Sequence, residues 1–523
     1  MVKSATIGSI IFLSIFTVVI LWRSPLRASR TPVCWHCNVI LITVDSLRAD
    51  SLPCYGYAKN TAPFMCEYAK KNILFSRAYA PSSWTLPSEM SLFTGLYPTN
   101  HGMDTAMQDM LNPQITTLPM ALQKSGYETT AISNAQPNIG LEQGLGRGFT
   151  TVKATPNTPH DAIPMLLEAV DTIQTTNDRH KPAFVYFHTD GVHNYNSGFP
   201  DVPSSYPLDP TYHPPMMPKD MYAFTQNTWD VMLDHLLWVT NVDGNKNIDD
   251  PYTRSYTHLM NAKTLSEAKT VFDSLPSADR NAISWESGND KVREFLGSDY
   301  APLSRHLYDE AVRNVDTYMT QVFTRLAERN LDKNTIVIIT SEHGEFLGER
   351  GLFGHGTQFF DPETHVPLIM HVPNVSQKTV TGLTSLLDVY ATVIDLLELR
   401  VRAPATSVSQ AKTLFLKRPA SARTFVISEW FSNMHNKSIR TNEWHLLETR
   451  SPSGEAIREL YHILFDPSET TNVASTNASV VAALSKLLRD TPYSEQLYEP
   501  VSRSFPDWID EAHRKKLIET GYY

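Results

Sequence analysis

The chain has 523 residues, of which 41% are hydrophobic and 19% are charged, and its formal net charge at pH 7 is −10. This composition predicts a folded protein with a large core and argues against disorder over most of the length. The acidic balance and the lack of Lys and Arg clusters argue against a nucleic-acid partner. The negative net charge does not exclude a small anionic substrate, because a bound metal cation can supply local positive charge.

An apolar segment without ionisable side chains covers residues 5–22. As a helix it would span about 27 Å, enough to cross a bilayer. We therefore predict a transmembrane helix or signal anchor at 5–22, followed by a linker at 23–37, with a cleavable signal peptide as the alternative. Arg23, Arg27 and Arg30 follow the segment, and the positive-inside rule alone would keep the remaining chain in the cytoplasm.

Four cysteines lie beyond this segment: Cys34 and Cys37 in a CxxC, then Cys54 and Cys66. No second CxxC is present to complete a four-cysteine zinc site. In an oxidising compartment local disulfides 34–37 or 54–66 can form, and the sequence does not choose between them.

Short apolar runs predict the strands of an α/β sheet. The first, Asn38 to Val44 (NVILITV), is continuous and β-branched, which is typical of a strand buried on both faces. Similar runs lie at 129–132, 183–187, 335–339 and 367–370. Helical patterns lie between several of them, most clearly at Leu307 to Ala327. This alternation predicts a large, mostly parallel sheet sandwiched by helices, with ligands beyond the carboxyl ends of the strands.

Two regions depart from this alternation. Residues from about 200 to 300 are rich in Pro, Asn, Asp, Tyr and Trp, and we interpret them as an insertion that caps the active-site face of a catalytic domain at 38–400. Over 401–523, short strand patterns (TFVISEW, WHLLETR, ELYHILF) precede the helical VVAALSKLL. They predict a C-terminal subdomain made of a small antiparallel sheet with one packed helix.

Polar residues follow two of the predicted strands. Asp45 comes directly after NVILITV, and Glu342 and His343 follow the run at 335–339. Oxygen and nitrogen donors of this kind suit calcium, magnesium, manganese or zinc. Thr85 precedes a Leu-Pro-Ser turn and a helix-like run, where a hydroxyl at a helix N-terminus can meet an anion. The alternative is that Asp45 and Thr85 only cap the helices that follow them.

Taken together, these motifs resemble the sulfatase branch of the alkaline-phosphatase superfamily. They occur in that family's order over nearly all of residues 38–523, and the most specific are DSLRADSLPCYGY, APSSWTLPSEMSLFTGLYPTNHG, TSEHGEFLGERGLFGHG and ELYHILFDPSETTN. The resemblance implies a central mixed sheet between helices, a C-terminal four-stranded sheet and one divalent metal ion. The functional residues that it implies are the metal-binding Asp45, Thr85, Glu342 and His343, with Thr85 as nucleophile, and the catalytic histidines His193 and His355.

The sequence also departs from the family. Sulfatases oxidise a Cys or Ser in C/S-x-P-S-R to formylglycine, whereas this chain has Thr85 in that position and Glu89 in place of the arginine. Ser46 replaces a second aspartate, and Glu342 replaces the aspartate before His343. Phosphate- and phosphonate-cleaving relatives use an unmodified threonine, so the activity is expected to lean toward phosphorus-centred esters.

We predict a metal-dependent hydrolase or transferase that acts on a sulfate-type or phosphate-type ester through a covalent Thr85 intermediate. The substrate would be a small anionic ester or a lipid- or glycan-linked ester. Two alternatives stay open: a transferase of phospho-headgroups of envelope lipids or glycans, and an inactive binding protein with this fold. The family resemblance also predicts a single-pass membrane protein whose catalytic domain is periplasmic or lumenal. His188 is interpreted as a satisfied core histidine, and His101 as a turn residue.

Overall fold

A computed structural model describes residues 34–103, 109–133, 140–154, 159–193, 195, 300–356, 358–415, 423–430, 436–450, 455–490, 498 and 500–502. The predicted membrane segment at 5–22 and nearly all of the predicted insertion at 200–300 lie outside the described residues, so both stay predictions. No helix within the described ranges has the length and apolar character needed to cross a bilayer.

The strands form one large sheet and three smaller ones. In chain order they are β1 (Asn38–Val44), β2 (Ile73–Tyr79), β3 (Asp109–Met110), β4 (Glu128–Ser133), β5 (Thr151–Ala154), β6 (Ala183–Thr189), β7 (Thr335–Thr340), β8 (Phe346–Leu347), β9 (Phe353–Gly354), β10 (His365–His371), β11 (Lys378–Val380), β12 (Thr384–Ser385), β13 (Phe425–Trp430), β14 (Asn436–Thr441), β15 (Trp444–Arg450), β16 (Ala456–His462) and β17 (Val501–Ser502). The large sheet has nine strands in the order β11-β2-β10-β7-β1-β6-β4-β5, with β12 also paired to β2.

Strand β1 lies at the centre of the large sheet. It pairs in parallel with β6 on one side and with β7 on the other, and all seven of its residues are buried. A strand covered on both faces needs no polar alternation, which explains the continuous apolar sequence. The sheet is mixed, as the family resemblance implies, because β10 runs antiparallel to both β7 and β2. An apolar run indicates burial and carries no information about strand direction.

Helices cover both faces of this sheet. In chain order the described helices are α1 (Pro63–Ala69), α2 (Thr85–Thr94), α3 (Pro98–His101), α4 (Leu118–Lys124), α5 (Pro159–Asp178), α6 (Tyr300–Glu328), α7 (Asp361–Thr364), α8 (Leu387–Leu396) and α9 (Ala478–Asp490). Val39 and Leu41 of β1 join the core with α2, α4 and α8, whereas Ile40 and Ile42 join the core with α1, α5 and α6. Successive side chains of a strand point to opposite faces, so those of β1 contribute alternately to the two apolar layers.

The C-terminal region contains the predicted antiparallel sheet, with β13 to β16 paired in sequence order. Helix α9 packs on it through Leu484 and Leu488. Arg440 of β14 joins this sheet to the large domain, because its guanidinium lies 2.8 Å from Asp361 at the start of α7. The expectation of a mostly parallel sheet with a small antiparallel C-terminal sheet is therefore confirmed.

Both candidate disulfides are present, Cys34–Cys37 and Cys54–Cys66. The second connects the turn before Tyr55 to helix α1, close to the segment that follows β1.

Candidate active site

The carboxyl ends of β1 and β7 bring the first site residues together. Asp45 follows β1, and Glu342 and His343 follow β7. Since the two strands are parallel neighbours, their ends meet at one edge of the sheet. His343 Nε2 lies 3.6 Å from Asp45 Oδ1 and 3.8 Å from Glu342 Oε1. The side chains of all three residues are buried.

Helix α2 delivers Thr85 to the same point. Thr85 is the first residue of the helix, and its Oγ1 lies 3.0 Å from His343 Nε2. Every residue of α2 is buried, and Ser88 Oγ donates a hydrogen bond to the Glu342 carbonyl at 2.5 Å. The helix is therefore held against the loop after β7, and Thr85 cannot shift without repacking its surroundings.

Hydrogen bonding determines which nitrogen of His343 carries the proton. Nδ1 lies 2.9 Å from the Gly344 carbonyl, which can only accept, so Nδ1 is the donor. Burial lowers the pKa of His343 to about 3, so the ring is neutral near pH 7 and Nε2 has a free lone pair. That lone pair can accept the Thr85 hydroxyl or ligate a metal ion.

The pKa values of the Asp45 and Glu342 carboxyl groups shift in opposite directions. Burial alone would raise the pKa of Asp45, but His193, His343 and His188 together lower it well below the usual range. Burial raises the pKa of Glu342 far above normal, and Asp45 adds to the effect. Ser46 donates its hydroxyl to Asp45 Oδ1 at 3.0 Å, so it orients the carboxylate that it follows.

His355 lies beside this group, in the loop after β9. Its ring centroid is 4.3 Å from that of His343 and 5.1 Å from that of His193. Its Nδ1 lies 2.9 Å from Glu345 Oε2, which makes Glu345 the group that orients the ring. Sequence reasoning missed Glu345; the available signal was a second carboxylate two residues after His343, within the same loop.

Arg48 holds the loop that carries Glu345. Its guanidinium donates to the Glu345 carbonyl at 2.9 Å and to Glu349 Oε1 at 2.7 Å, and its side chain is buried. Gly344 allows this loop to pass close to Pro362, since a Cβ there would lie 2.1 Å from the Pro362 carbonyl oxygen. The structure thus brings Asp45, Thr85, Glu342, His343, His193 and His355 into one group at the sheet edge.

Residues 37–399 match the family model described as Sulfatase. The chain belongs to the sulfatase family. This membership agrees with the predicted class of enzyme, a hydrolase or transferase of sulfuric or phosphoric esters.

Two curated relatives illustrate the range of similarity within the family. An N-acetylgalactosamine-6-O-sulfatase of Bacteroides thetaiotaomicron is 24% identical over 505 residues, covering 86% of this chain and 92% of the relative. Arylsulfatase K of Gallus gallus is 29% identical over 195 residues. That match spans 35% of this chain and 36% of the relative, so it covers about a third of each protein.

Among solved structures, the phosphonate monoester hydrolase of Agrobacterium radiobacter superposes with a TM-score of 0.58 at 18% identity. The superposition covers 90% of this chain and 100% of that structure. At this level of identity the similarity shows a shared fold.

Two further residues of this sulfatase-family chain reach the site. Glu89 follows Thr85 by one helical turn of α2 and therefore faces the same side. His188 lies in β6, with its Nε2 3.6 Å from Glu342 Oε1, 3.8 Å from Asp45 Oδ2 and 4.0 Å from Glu89 Oε1. Burial raises the pKa of Glu89 to about 8 and lowers that of His188 to about 4.

The interpretation of His188 as a satisfied core histidine is wrong, because neither ring nitrogen forms a hydrogen bond within the described part of the chain. His101 shows the contrast. It is also buried, at the end of α3, but its Nδ1 accepts from the Met103 amide at 3.0 Å and its Nε2 lies 3.1 Å from Ser91 Oγ. His101 is thus a satisfied buried histidine rather than an ordinary turn residue.

The predicted metal ligands fit a divalent ion. Asp45, Glu342 and His343 each offer a ligand atom, and these atoms lie within 4.8 Å of one another. Both carboxylate oxygens of Glu342 are buried without a hydrogen bond among the described residues. Such atoms are costly to bury unless a partner such as a cation compensates. Their oxygen and nitrogen chemistry suits magnesium, manganese, calcium or zinc, as predicted.

Proposed function

We propose that this chain is a metal-dependent enzyme that cleaves or transfers a sulfate-type or phosphate-type ester, with Thr85 as the nucleophile. The observation that carries the proposal is that Thr85 Oγ1 lies 3.0 Å from His343 Nε2, a nitrogen that could ligate the ion. This contact lies at the buried group formed by Asp45, Glu342 and His343. A threonine that only capped its helix would not need this partner.

The chain's residues divide the chemistry among them. Asp45, Glu342 and His343 would hold the ion, which supplies positive charge that favours the Thr85 alkoxide and balances the oxygens of the substrate. Thr85 Oγ1 gives its proton to water and forms a bond to sulfur or phosphorus while the bond to the ester oxygen breaks. His355 gives its proton to the leaving oxygen, and Glu345 keeps its ring in position. Water or an acceptor alcohol then resolves the Thr85 ester.

The identity of residue 85 favours phosphorus over sulfur. A formylglycine hydrate can expel sulfate with its second hydroxyl, whereas a Thr85 ester requires attack by an external nucleophile. Metal-held phosphoryl groups tolerate such attack. The fold shared with a phosphonate monoester hydrolase is consistent with this preference. The relatives named for sulfated sugars support an anionic ester of a saccharide as one substrate class to test.

The disulfides Cys34–Cys37 and Cys54–Cys66 support an extracytoplasmic location. Disulfides persist in secreted, lumenal and periplasmic proteins and are rare in reducing compartments. We therefore propose that the domain beyond residue 38 lies in a periplasm or secretory lumen, attached through the segment at 5–22.

The test compares Thr85→Ala with Thr94→Ala, which makes the same change at the other end of helix α2. Thr94 is buried and its hydroxyl donates to the Met90 carbonyl at 2.6 Å, away from the site. Paired aryl sulfate, phosphate monoester, phosphate diester and phosphonate substrates are assayed with magnesium, manganese, calcium and zinc. We expect Thr85→Ala to lower kcat by at least about 1,000-fold, or about 4 kcal/mol, on the best substrate.

Thr94→Ala is expected to leave kcat within about twofold of the parent. Intact-protein mass spectrometry of a rapidly quenched reaction should show a covalent adduct on the parent and none on Thr85→Ala. Retention of turnover within about tenfold by folded Thr85→Ala would show that Thr85 is not the nucleophile. No turnover by the parent on any substrate with any of the ions would favour the inactive binding protein.

A further inference from the structure

We propose that the chain has a second divalent metal site, formed by Glu89, His188 and Glu342, next to the site of Asp45, Glu342 and His343. Glu342 belongs to both sets, so its carboxylate would bridge two ions. We refer to the group of Glu89, His188 and Glu342 as the second triad. It rests on the geometry of these side chains, and only the charge argument below uses the anionic ester of the proposed function.

The distances within the second triad fit a metal site. Its three ligand atoms lie within 4.8 Å of one another. His188 Nε2 is 3.6 Å from Glu342 Oε1 and 4.0 Å from Glu89 Oε1. Neighbouring donors around a tetrahedral ion with bonds near 2.1 Å lie roughly 3.4 Å apart, so small side-chain adjustments would close the shell. Direct hydrogen bonds between these atoms would need shorter separations.

Within the described residues, the polar atoms of the second triad have no hydrogen bond of ordinary length, although Thr43 and Tyr186 lie near Glu89 and Asp45 lies near Glu342. Both oxygens of Glu89, both oxygens of Glu342 and both nitrogens of His188 are buried and unsatisfied among the described residues. The side chains of all three residues have 0% exposure. Leaving a single buried polar atom unpaired already costs about 1–3 kcal/mol. One atom from each of the three residues lies in the same small volume, and a bound cation would satisfy these three atoms together.

Two other buried histidines show that burial alone does not explain why the His188 nitrogens lack hydrogen bonds. His101 and His343 are as deeply buried as His188, and both have hydrogen-bond partners at Nδ1 and at Nε2. His188 differs because its neighbours are three carboxyl groups. When ionised, a carboxylate can only accept hydrogen bonds, and a neutral imidazole offers a single N–H donor. A cation can be shared by an imidazole and several carboxylates.

The charge of the site also favours two ions. Asp45, Glu89 and Glu342 contribute up to three negative charges, and no lysine or arginine forms an ion pair with them in the described ranges. One divalent ion would leave the fully ionised group negative, which would repel an anionic ester. A second ion would make it positive. Glu89 occupies the position where the family motif has arginine, so the charge there changes from +1 to −1 when Glu89 is ionised. One divalent cation would compensate for this difference of two charge units.

The donor set favours a transition metal at the second triad. Two carboxylates and one imidazole suit zinc or manganese, whereas calcium prefers an all-oxygen shell.

The experiment counts metal ions on the full chain. Purified protein is stripped with a chelator, dialysed against zinc, washed to remove loosely bound ions and analysed by inductively coupled plasma mass spectrometry. The variants are Glu89→Gln and His188→Phe, which keep side-chain size and remove second-triad ligands. Glu345→Gln is the matched control, since it makes the same carboxylate-to-amide change at a buried residue outside both ligand sets.

We expect two zinc ions per chain in the parent and in Glu345→Gln, and one in Glu89→Gln and His188→Phe. Anomalous diffraction from zinc-soaked crystals of the parent should place the second ion between Glu89 and His188, even where a variant fails to fold. One ion in the parent, or two ions retained by both folded second-triad variants, would overturn the proposal. Loss of turnover in Thr85→Ala together with one ion in the parent would sink this inference and leave the proposed function standing.

Discussion

Thr85 Oγ1 and His343 Nε2 lie 3.0 Å apart although 258 residues separate them in the sequence. Because His343 Nδ1 is committed to the Gly344 carbonyl, only Nε2 can serve Thr85 or an ion. The lone pair of His343 Nε2 is therefore the one that faces the Thr85 hydroxyl.

Replacing His343 should weaken metal binding at the first site. We expect His343→Gln to raise the dissociation constant for one zinc ion at least about tenfold, because the ligand nitrogen and its orienting hydrogen bond are both lost. Isothermal titration of the stripped protein measures this. His101→Gln is the control, since it changes a buried histidine outside the ligand sets whose two nitrogens bind protein groups. Equal dissociation constants for His343→Gln and the parent would contradict the assignment.

Glu345 should act on the reaction through His355. Glu345→Gln removes the carboxylate that accepts from His355 Nδ1, and we expect kcat to fall about 10- to 100-fold with little change in KM. The loss should be larger for alkyl esters, whose poor leaving groups need protonation, than for nitrophenyl esters. Glu128→Gln provides a control at the opposite end of the sheet, where Glu128 pairs with Lys181. An equal loss on both ester types would argue that Glu345 has only a structural role.

A buried ion pair should make the stability of the C-terminal sheet depend on pH. Burial alone would raise the pKa of Glu469, but His445 and Arg440 lower it to about 2, with its Oε1 2.6 Å from His445 Nδ1. Because the unfolded value is higher, near 4.5, the stabilisation is present above pH 4.5 and is lost as pH falls toward 2.

We therefore expect Glu469→Gln to lower the free energy of unfolding by about 3 kcal/mol at pH 7, and the difference from the parent to shrink below pH 4.5. Urea unfolding between pH 3 and 7 measures both. Glu443→Gln, which removes an exposed pair with His462, should change stability by less than about 1 kcal/mol. A Glu469→Gln effect that stays constant down to pH 3 would refute the ion-pair origin.

The disulfide between Cys54 and Cys66 should stabilise the segment that follows Asp45. The two cysteines are 12 residues apart in the sequence. Closing a loop of this length stabilises the folded state by about 3 kcal/mol through the lower chain entropy of the unfolded state. We expect Cys54→Ser with Cys66→Ser to lower the free energy of unfolding by about that amount. The parent should lose at least this amount when dithiothreitol is added, because the reductant also opens Cys34–Cys37. Insensitivity of the parent to reductant would contradict this prediction.

The sequence predicted the central strands well because burial on two faces leaves a continuous apolar run. It did not reveal β2, whose Ser76 and Arg77 interrupt the apolar pattern. The structure explains the interruption, since Arg77 Nη1 donates to Asn442 Oδ1 at 2.7 Å, beside the C-terminal sheet. Polar residues that face another part of the same chain cannot be distinguished from residues that face solvent without the tertiary structure.

The candidate site was predictable where residues follow strands and was not predictable where they lie within elements. Asp45, Glu342 and His343 were found at strand ends. His188 lies inside β6, and a sequence cannot show whether a buried imidazole has partners. Glu89 was noted only as a departure from a motif. Two features together were the missed signal. Glu89 replaces the arginine of the family motif, and His188 is an ionisable residue in the otherwise apolar strand β6.

The central position of β1 also has a consequence for biosynthesis. Its partners β6 and β7 are synthesised long after it, and the site needs Glu342 and His343, which follow β7. A nascent chain can therefore pair β1 fully only after about two thirds of the protein has left the ribosome. Until then the apolar strand stays exposed, and folding dominated by such distant contacts is slow. An ion that needs both Asp45 and His343 would accordingly bind only after β1 and β7 have paired, so ion binding would report completion of the fold.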